Sequence, residues 1–361
     1  MVSSWESPDM SKATISDVAR KVGVSESTVS RFISGYKVRN AKRISRAIKD
    51  LDYRPNIVAR NLKTGRTGLI AVVVPDITNP FFASLVRGAE IAAGDEYMIQ
   101  LINTGDDLER EKWALKRMIG RVDGVIYVPL QESSEAISNK SLGSLPLVFV
   151  DRVLTKSNGF DSVLADNCQG GFLAASHLIE LGHRSIAFIS GPLSSTPGRE
   201  RAIGFNKALA ERGIVQNSQY FRESDFTSLG GYQAMSGLLS LKVRPTAVFI
   251  ANNLMTIGAL KALKEYRISV PEDMAVIGFD DHEISDLIDP PLTVISRDAH
   301  LQGALAMATL LERIRGINQF PPEQIKVDVN LVVRKSCGST CHHRSNEEAK
   351  FEDTLSALTL T

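Results

Sequence analysis

The chain has 361 residues, of which 43% are hydrophobic and 23% charged, and its formal net charge at pH 7 is +1. No apolar run approaches the length of a membrane span, and three cysteines in so long a chain favour a reducing compartment over a disulfide framework. The length suits one small domain followed by a core of two lobes. The first ten residues lack the basic and apolar regions of a signal peptide, so we expect a disordered lead-in over residues 1–12 and a cytoplasmic protein.

Residues 13–35 predict two short helices joined by a tight turn. The first helix has apolar residues at the i, i+3, i+4 and i+7 positions of one face: Ile15, Val18, Ala19 and Val22. Gly23 permits the turn, and Ser25 is a suitable N-cap for the second helix. A third helix closes the small core with apolar residues at Ile44, Ala47, Ile48 and Leu51.

The second helix presents two faces of different chemistry. Its buried face consists of Val29, Phe32 and Ile33. Its outer face consists of Ser27, Ser30 and Arg31. A helix whose outer side chains are small or form hydrogen bonds can lie close to base edges, so this helix is predicted to read the major groove of DNA.

The charge distribution supports a DNA-binding head. Residues 11–66 contain 14 lysines and arginines against 4 aspartates and glutamates, whereas the whole chain carries only +1. A basic head on an acidic body is typical of phosphate binding, because each neutralised phosphate releases counterions. The alternative is a small helical domain with solvated basic residues, which accounts for the composition but not for the helix pattern.

Several short motifs occur together along the chain: TISDVA at 14–19, GVS at 23–25, TVSR at 28–31, YRPN at 53–56 and VPDITNPFF at 74–82. In combination they resemble the lactose/galactose repressor family of bacterial transcription regulators, and the resemblance extends to about residue 336. It implies a repressor that binds a near-palindromic DNA operator as a homodimer. It also implies an all-α helix-turn-helix head over 13–54, a hinge helix and linker over 55–66, and a periplasmic-binding-protein-like α/β core over 67–340.

The resemblance also assigns DNA contacts to individual residues. It places three of them against base edges: Glu26, Ser27 and Arg31. Three more are expected to contact phosphates and set the register: Thr14, Ser25 and Thr28. Arginine can bind guanine O6 and N7 with two hydrogen bonds. Two interpretations of Glu26 remain open, a hydrogen bond from cytosine N4 or a favourable interaction with the helix dipole.

Residues 56–62 predict a helix barely two turns long after Pro55, which suits a first helical turn. Such a helix is marginal in isolation because nucleation is costly. The resemblance implies that it orders when two copies pair over the minor groove, with Leu62 wedged between base pairs and Ala59 permitting close approach. The alternative is a plain linker with one exposed leucine.

From Gly68 onward, short apolar runs alternate with amphipathic segments. Strands are predicted at 69–74, 125–128, 147–150, 186–189, 247–250 and 275–279. Helices are predicted between them, among them 82–93, 170–181, 199–212 and 255–265. This alternation predicts two lobes, each a doubly wound parallel sheet covered on both faces. The resemblance implies three passages of the chain between the lobes, which we place near residues 166, 294 and 324.

Short polar residues follow the predicted strands, among them Asp76, Asn79, Asp151, Asn252 and Asp280. Ligands of such folds bind at the carboxyl ends of the strands, so a ligand cleft is expected between the lobes. The resemblance adds Arg201 as the arginine that binds effector, and it adds aromatic walls at Phe81, Phe82 and Phe226. Two residues have structural alternatives, Asp280 as a cap and Phe82 as a core residue.

These groups indicate the chemistry of the effector. Forked donors and acceptors suit vicinal hydroxyls, and an aromatic face suits the C–H side of a sugar or a base. A sugar or sugar-like effector is therefore expected, with a nucleoside as a further possibility. The alternatives are a regulator without an effector and, less favoured, a solute-binding protein, which has no use for residues 13–62.

No familiar catalytic motif occurs, including GxSxG, HExxH, the phosphate loop and GxGxxG after a strand, so neither enzymatic activity nor a cofactor is expected. The final segment, 341–361, is expected to be a solvated tail. The disfavoured alternative is a zinc site, because four ligands this close together rarely reach tetrahedral geometry: Cys337, Cys341, His342 and His343. No tetramerising heptad is visible, which favours a dimer.

Overall fold

The computed structural model describes residues 13–33, 35–54, 65–132, 145–154, 159–317 and 321–339. They belong to two compact units, the head (Met1–Thr67) and the core (Gly68–Thr361). Some residues singled out above lie outside the described ranges, so what the sequence predicts for them remains a prediction: Ala59, Leu62, Cys341, His342 and His343. Within those ranges, no helix is long and apolar enough to cross a lipid bilayer.

The head contains the three predicted helices, α1 (Ile15–Val22), α2 (Glu26–Ile33) and α3 (Ala41–Asp50). Helix α1 begins with a capping box, in which Asp17 N–H donates to Thr14 Oγ1 and Thr14 N–H donates to the Asp17 carboxylate. It ends at Gly23, whose φ of 73° favours glycine. The helices pack on fully buried residues: Val18, Val29 and Ile44.

The core contains two six-stranded sheets, one in each lobe. The first lobe holds β1 (Leu69–Val74), β2 (Met98–Asn103), β3 (Gly124–Tyr127), β4 (Leu147–Val150), β5 (Asp161–Ala165) and β11 (Gln324–Val327). The second lobe holds β6 (Ile186–Ser190), β7 (Phe221–Glu223), β8 (Ala247–Ile250), β9 (Ala275–Phe279), β10 (Thr293–Arg297) and β12 (Val329–Val332).

The strand orders are β11-β5-β4-β3-β1-β2 and β12-β10-β9-β8-β6-β7. All neighbours are parallel except β10 and β12, which pair antiparallel. Strands β1, β3, β4 and β5 of the first sheet are almost entirely buried, as are β6, β8 and β9 of the second. Such burial is typical of parallel sheets covered on both faces.

Helices of the core cover these sheets: α4 (Pro80–Ala93), α5 (Leu108–Met118), α6 (Asn167–Glu180), α7 (Thr196–Glu211), α8 (Ser228–Leu239), α9 (Asn253–Glu265), α10 (Ile284–Leu287) and α11 (Ala299–Arg315). Helices α4 and α11 pack together on the first lobe, α6 lies against α7, and α8 against α9. The α4–α11 contact is very close, because a Cβ at Gly88 or Gly303 would lie 1.9 Å from the carbonyl oxygen of His300 or Leu85, respectively.

The chain passes between the lobes three times. It leaves the first lobe at Asp166, between β5 and α6, and returns at Asp298, between β10 and α11. The last passage is Asp328, the single residue between β11 and β12. The sequence predicts these passages near residues 166, 294 and 324.

Candidate functional site

The outer surface of α2 carries a cluster of hydroxyl groups. Ser25 Oγ lies 2.8 Å from Ser27 Oγ and 2.9 Å from Thr28 Oγ1. Thr28 N–H donates to Ser25 Oγ at 3.3 Å, so Ser25 caps α2 as predicted. Ser27 and Arg31 are exposed, and the Arg31 guanidinium carbon lies 5.8 Å from the centre of the Tyr36 ring. These side chains supply hydrogen-bonding groups on one face of the head.

Two residues predicted to contact DNA also have partners inside the head. Thr14 caps α1, and its hydroxyl lies 2.7 Å from Asp17 Oδ2. Glu26 stands in the first turn of α2 and accepts a hydrogen bond from Ser16 Oγ, so its carboxylate links α1 to the positive end of α2. The DNA contacts assigned to these and the other head residues remain predictions.

A cavity of about 370 Å³ lies between the two lobes, at the carboxyl ends of the strands. Its volume falls in the range of natural small-molecule sites, about 300–1,000 Å³. All seven residues predicted to bind effector line it: Phe81, Phe82, Asp151, Arg201, Phe226, Asn252 and Asp280. The fold thus brings together residues that are up to about two hundred positions apart in the chain. What they bind remains a prediction.

Four lining residues have backbone conformations that residues other than glycine rarely adopt. The φ angles are 56° at Asp106, 66° at Asp151, 65° at Phe226 and 70° at Asp280. Each such residue costs about 1–3 kcal/mol and persists only where the surrounding structure holds it. Gly191 makes room for one of them, because a Cβ there would lie 2.0 Å from the Phe226 ring. Left-handed residues clustered at strand ends indicate a functional site.

Arg201, in the first half of α7, is 1% exposed. Its Nε donates to Asn167 Oδ1 at 2.9 Å, and its Nη1 donates to the Ala251 carbonyl. The guanidinium carbon lies 3.5 Å from the centre of the Phe279 ring. Burial and the nearby charge of Arg297 lower the pKa of Arg201. Among the described residues, Nη2 has no hydrogen-bond partner, so Arg201 keeps one buried donor unused.

Arg297 also lines the cavity, although no residue pattern described above points to it. Its Nε donates to Asp280 Oδ1 at 2.6 Å, and its Nη1 donates to Asp151 Oδ1 at 2.5 Å. Asp151 belongs to the first lobe and Asp280 to the second, so this ion cluster joins the lobes. A signal for it is the β-branched run Thr293–Ile295, which favours a strand, since Arg297 ends β10 and Asp280 directly follows β9.

Other hydrogen bonds join the lobes beside the cavity. Asn253 Nδ2 donates to Asn79 Oδ1 at 2.8 Å, from the start of α9 to the N-cap of α4. Glu132 of the first lobe accepts from the Thr196 hydroxyl and, at 2.9 Å, from Arg199 Nη1 at the start of α7. Polar side chains of the two lobes therefore bind each other directly beside the cavity.

Asn252 lines the cavity, but both ends of its amide are engaged within the protein. Its Oδ1 accepts from Met255 N–H at 2.9 Å, which caps α9. Its Nδ2 donates to the Phe226 carbonyl at 3.0 Å. Asn252 therefore fixes the backbone of Phe226. The rings of Phe81 and Phe82 meet edge to face at 5.0 Å, and both are buried where they line the cavity.

Within the described ranges, no group of three or more His, Cys, Asp or Glu side chains is placed to hold a metal ion. Cys337 is buried, with its sulfur 3.3 Å from His177 Nε2, and it accepts a hydrogen bond from Thr293 Oγ1 at 3.2 Å. This cysteine packs into the second lobe and stabilises the start of β10.

Two family models match the chain. Residues 14–56 match bacterial regulatory proteins of the lacI family, and residues 175–337 match a periplasmic binding protein-like domain. The HTH-type transcriptional repressor PurR of Glaesserella parasuis serovar 5 (strain SH0165) is 36% identical over 337 residues. That alignment covers 90% of this chain and 98% of the relative.

Solved structures are similar over the same extent. The lac repressor dimer bound to operator and the anti-inducer ONPF matches with a TM-score of 0.79 at 30% identity, covering 91% of this chain and 99% of that one. The complex of the transcriptional regulator CelR with cellobiose matches with a TM-score of 0.69 at 32% identity, covering 90% and 99%. The similarity therefore includes both the head and the core.

Proposed function

Because the chain belongs to the lacI family of bacterial regulatory proteins and is a DNA-binding transcriptional repressor with a small-molecule effector, we propose how it engages its partners. Two copies bind a near-palindromic operator through their heads and hinges. The effector binds in the cavity between the lobes of each core. Its DNA target places the protein in the cytoplasm.

In the proposed DNA complex, α2 lies in the major groove. Arg31 and Ser27 contact base edges, because both are exposed on its outer face. The hydroxyls of Thr14, Ser25 and Thr28 contact phosphates and set the register. The bond from Ser16 favours the structural interpretation of Glu26, in which the carboxylate supports α2. Ala59 and Leu62 would complete the contact in the minor groove.

Exposed apolar residues at one edge of the first lobe support the homodimer. Strand β2 lies at the edge of its sheet, and its residues Met98 and Leu101 are 73% and 41% exposed. Ile91, on α4, is 55% exposed. Apolar residues exposed along an edge strand are typical of pairing with another chain. A two-fold axis between two first lobes would give two operator half-sites in inverted orientation.

The main support for the effector site is the buried side chain of Arg201. Its guanidinium is buried, and its Nη2 has no hydrogen-bond partner among the described residues. A buried donor left without an acceptor is costly, and a ligand oxygen in the cavity would satisfy it. The Phe81, Phe82 and Phe226 rings add apolar walls, which suit the C–H face of a sugar-like molecule or the face of a nucleoside base.

Regulation then follows from linkage. The cavity is shared by both lobes, so a bound effector favours one arrangement of the lobes over another. It changes operator affinity only by its differential affinity for these arrangements. The hydrogen bonds that Asn253 donates to Asn79 and that Arg199 donates to Glu132 are contacts that such a rearrangement would break or remake.

A thermal-shift screen of the full chain tests the effector site. The panel contains neutral sugars, sugar acids, sugar phosphates and nucleosides, and is repeated on Arg201→Ala and on the control Arg313→Ala. Binding to the folded state raises the unfolding midpoint by mass action. We expect at least one compound to stabilise the wild type and the control but not Arg201→Ala. A panel without such a compound contradicts the effector site and favours a regulator that acts without a small molecule.

A further inference from the structure

The inner wall of the cavity is formed by charged side chains that are no more than 11% exposed. We call them the inner charge cluster, which consists of Arg152, Arg201, Arg297, Asp151 and Asp280. Three guanidinium groups face two carboxylates, so the cluster carries one excess positive charge. Asp76, Asp106 and Asp225 line the outer part of the cavity, where each is more exposed and its charge is screened by water.

Arg297 occupies the groups that a neutral sugar would use. Its bonds to Asp151 and Asp280, at 2.5 Å and 2.6 Å, engage both carboxylates of the cluster. Its guanidinium carbon also lies 3.6 Å from the centre of the Phe81 ring, so it covers the aromatic face. A sugar hydroxyl needs an acceptor for its proton. Each carboxylate keeps free lone pairs, but its charge is already balanced by Arg297, so it attracts a hydroxyl less strongly than an unpaired carboxylate would.

Arg201 is the guanidinium of the cluster for which no carboxylate oxygen of the described residues lies within ion-pair distance, whereas Arg152 Nε lies 3.5 Å from Asp151 Oδ2. Its Nε and Nη1 donate to the neutral oxygens of Asn167 and Ala251, and its Nη2 has no partner among the described residues. Buried charges are normally paired, and an unpaired one is strongly unfavourable. A ligand with one negative group at Nη2 would both satisfy this donor and bring the inner charge cluster to neutrality.

We propose that Arg297 determines the specificity of the cavity and that the effector is an anionic polyhydroxyl compound, with a carboxylate or phosphate that pairs with Arg201. The proposal rests on the effector site proposed above. The proposal of an anionic effector is based on the net charge of the inner charge cluster. The same net charge predicts how substitutions in the cluster change the preference between anionic and neutral ligands.

Calorimetric titration of the full chain with matched compounds tests the proposed preference for an anionic effector. One series is ribose, ribonate and ribose 5-phosphate, and the other is glucose, gluconate and glucose 6-phosphate. We expect at least one anion to bind about tenfold or more tightly than its neutral parent, because a charge-assisted hydrogen bond is the stronger kind. The aldonates and phosphates distinguish the two sources of the negative group. Acetate and inorganic phosphate at equal ionic strength are the controls.

Two variants separate charge from shape. Arg297→Gln leaves two arginines against two aspartates and frees both carboxylates, so we expect the preference to reverse toward the neutral parent. The double variant Asp280→Asn with Arg297→Gln restores one excess positive charge, so the preference for the anion should return. Arg313→Gln removes an arginine bound to Asp161 by two hydrogen bonds within the first lobe and should leave the preference unchanged.

The outcomes are distinct. Tighter binding of a neutral sugar by the wild type, abolished by Arg201→Ala, overturns the proposal and leaves the effector site intact. Binding of acetate or inorganic phosphate as tightly as the sugar anions overturns it as well, because the polyhydroxyl part then contributes nothing. Failure of every anion to bind also overturns it, and neutral-sugar binding by Arg297→Gln would then still establish the cavity as a ligand site.

Discussion

The pKa of Asp151 depends on the charged side chains around it. Burial by itself raises its pKa, but Arg297, Arg152 and Arg201 together lower the pKa below the ordinary value of 3.8. A folded-state pKa below the unfolded one means that ionised Asp151 stabilises the core at pH values above about 4. This stabilisation is lost as the pH falls through the lowered pKa.

Asp151→Asn is therefore expected to flatten the acid dependence of stability. The wild-type free energy of unfolding should fall as the pH is lowered from about 5 to about 3, and the variant should lose less over this interval. Urea unfolding at several pH values measures this pH dependence of the free energy of unfolding, with a substitution of an exposed carboxylate, Asp95→Asn, as control. An equal slope for Asp151→Asn and wild type contradicts the role assigned to the arginines.

Arg31 is the head residue with the sharpest expected effect on recognition. Arg31→Ala should weaken binding to an operator selected from random DNA by about 1–3 kcal/mol, because two hydrogen bonds to one base are lost. Binding to unrelated DNA should change much less. Titrations with both DNAs measure the two affinities. Equal losses on both would reassign Arg31 to phosphate contact, which carries no sequence information.

At the level of elements, the predicted strands agree with the structure to within about one residue, whereas four helices begin earlier than predicted. The observed starts are Pro80, Asn167, Thr196 and Asn253, against 82, 170, 199 and 255. Their first turns contain proline and polar residues, so apolar periodicity does not reveal them. The caps do: Asn79, Asp166, Ser195 and Asn252 each accept from a backbone N–H of the first turn.

The close contact between α4 and α11 predicts that a larger residue at position 303 destabilises the core. Gly303→Ala should lower the free energy of unfolding by about 1–3 kcal/mol, because the new methyl group would meet the Leu85 carbonyl and push the helices apart. Gly237→Ala is the matched control, since its Cβ would have an ordinary 3.6 Å contact with Arg222. Chemical denaturation compares the two. Equal stability of the two variants would show that the helices separate at little cost.

At the level of the whole molecule, the sequence predicts which residues surround the cavity but not how they pair. Parallel strands bring their carboxyl ends together, so Asp151 and Asp280 are found from local apolar runs. Their shared bond to Arg297 depends on the position of one lobe against the other, which no local pattern encodes. The same holds for the pairing of Asn79 with Asn253.

The proposed dimer gives a prediction for the assembled protein. Met98→Asp should weaken self-association by about tenfold or more, because a charge on an apolar edge strand disfavours pairing. Val215→Asp is the control, since Val215 is 91% exposed and lies in the second lobe, away from β2. Sedimentation equilibrium measures the association constant. A Met98→Asp protein that associates like the control would place the interface elsewhere.

The three passages between the lobes also determine when each part of the protein is finished during synthesis. The head helices end at Asp50, so the head is complete while most of the chain is still unmade. The first sheet is incomplete until β11 has been made, and the second until β12 has been made. These strands end at Val327 and Val332. Both lobes are therefore completed only after residue 332 has been made. A chain that stops before residue 324 lacks a strand in each lobe and leaves a basic, DNA-binding head attached to an unfinished core.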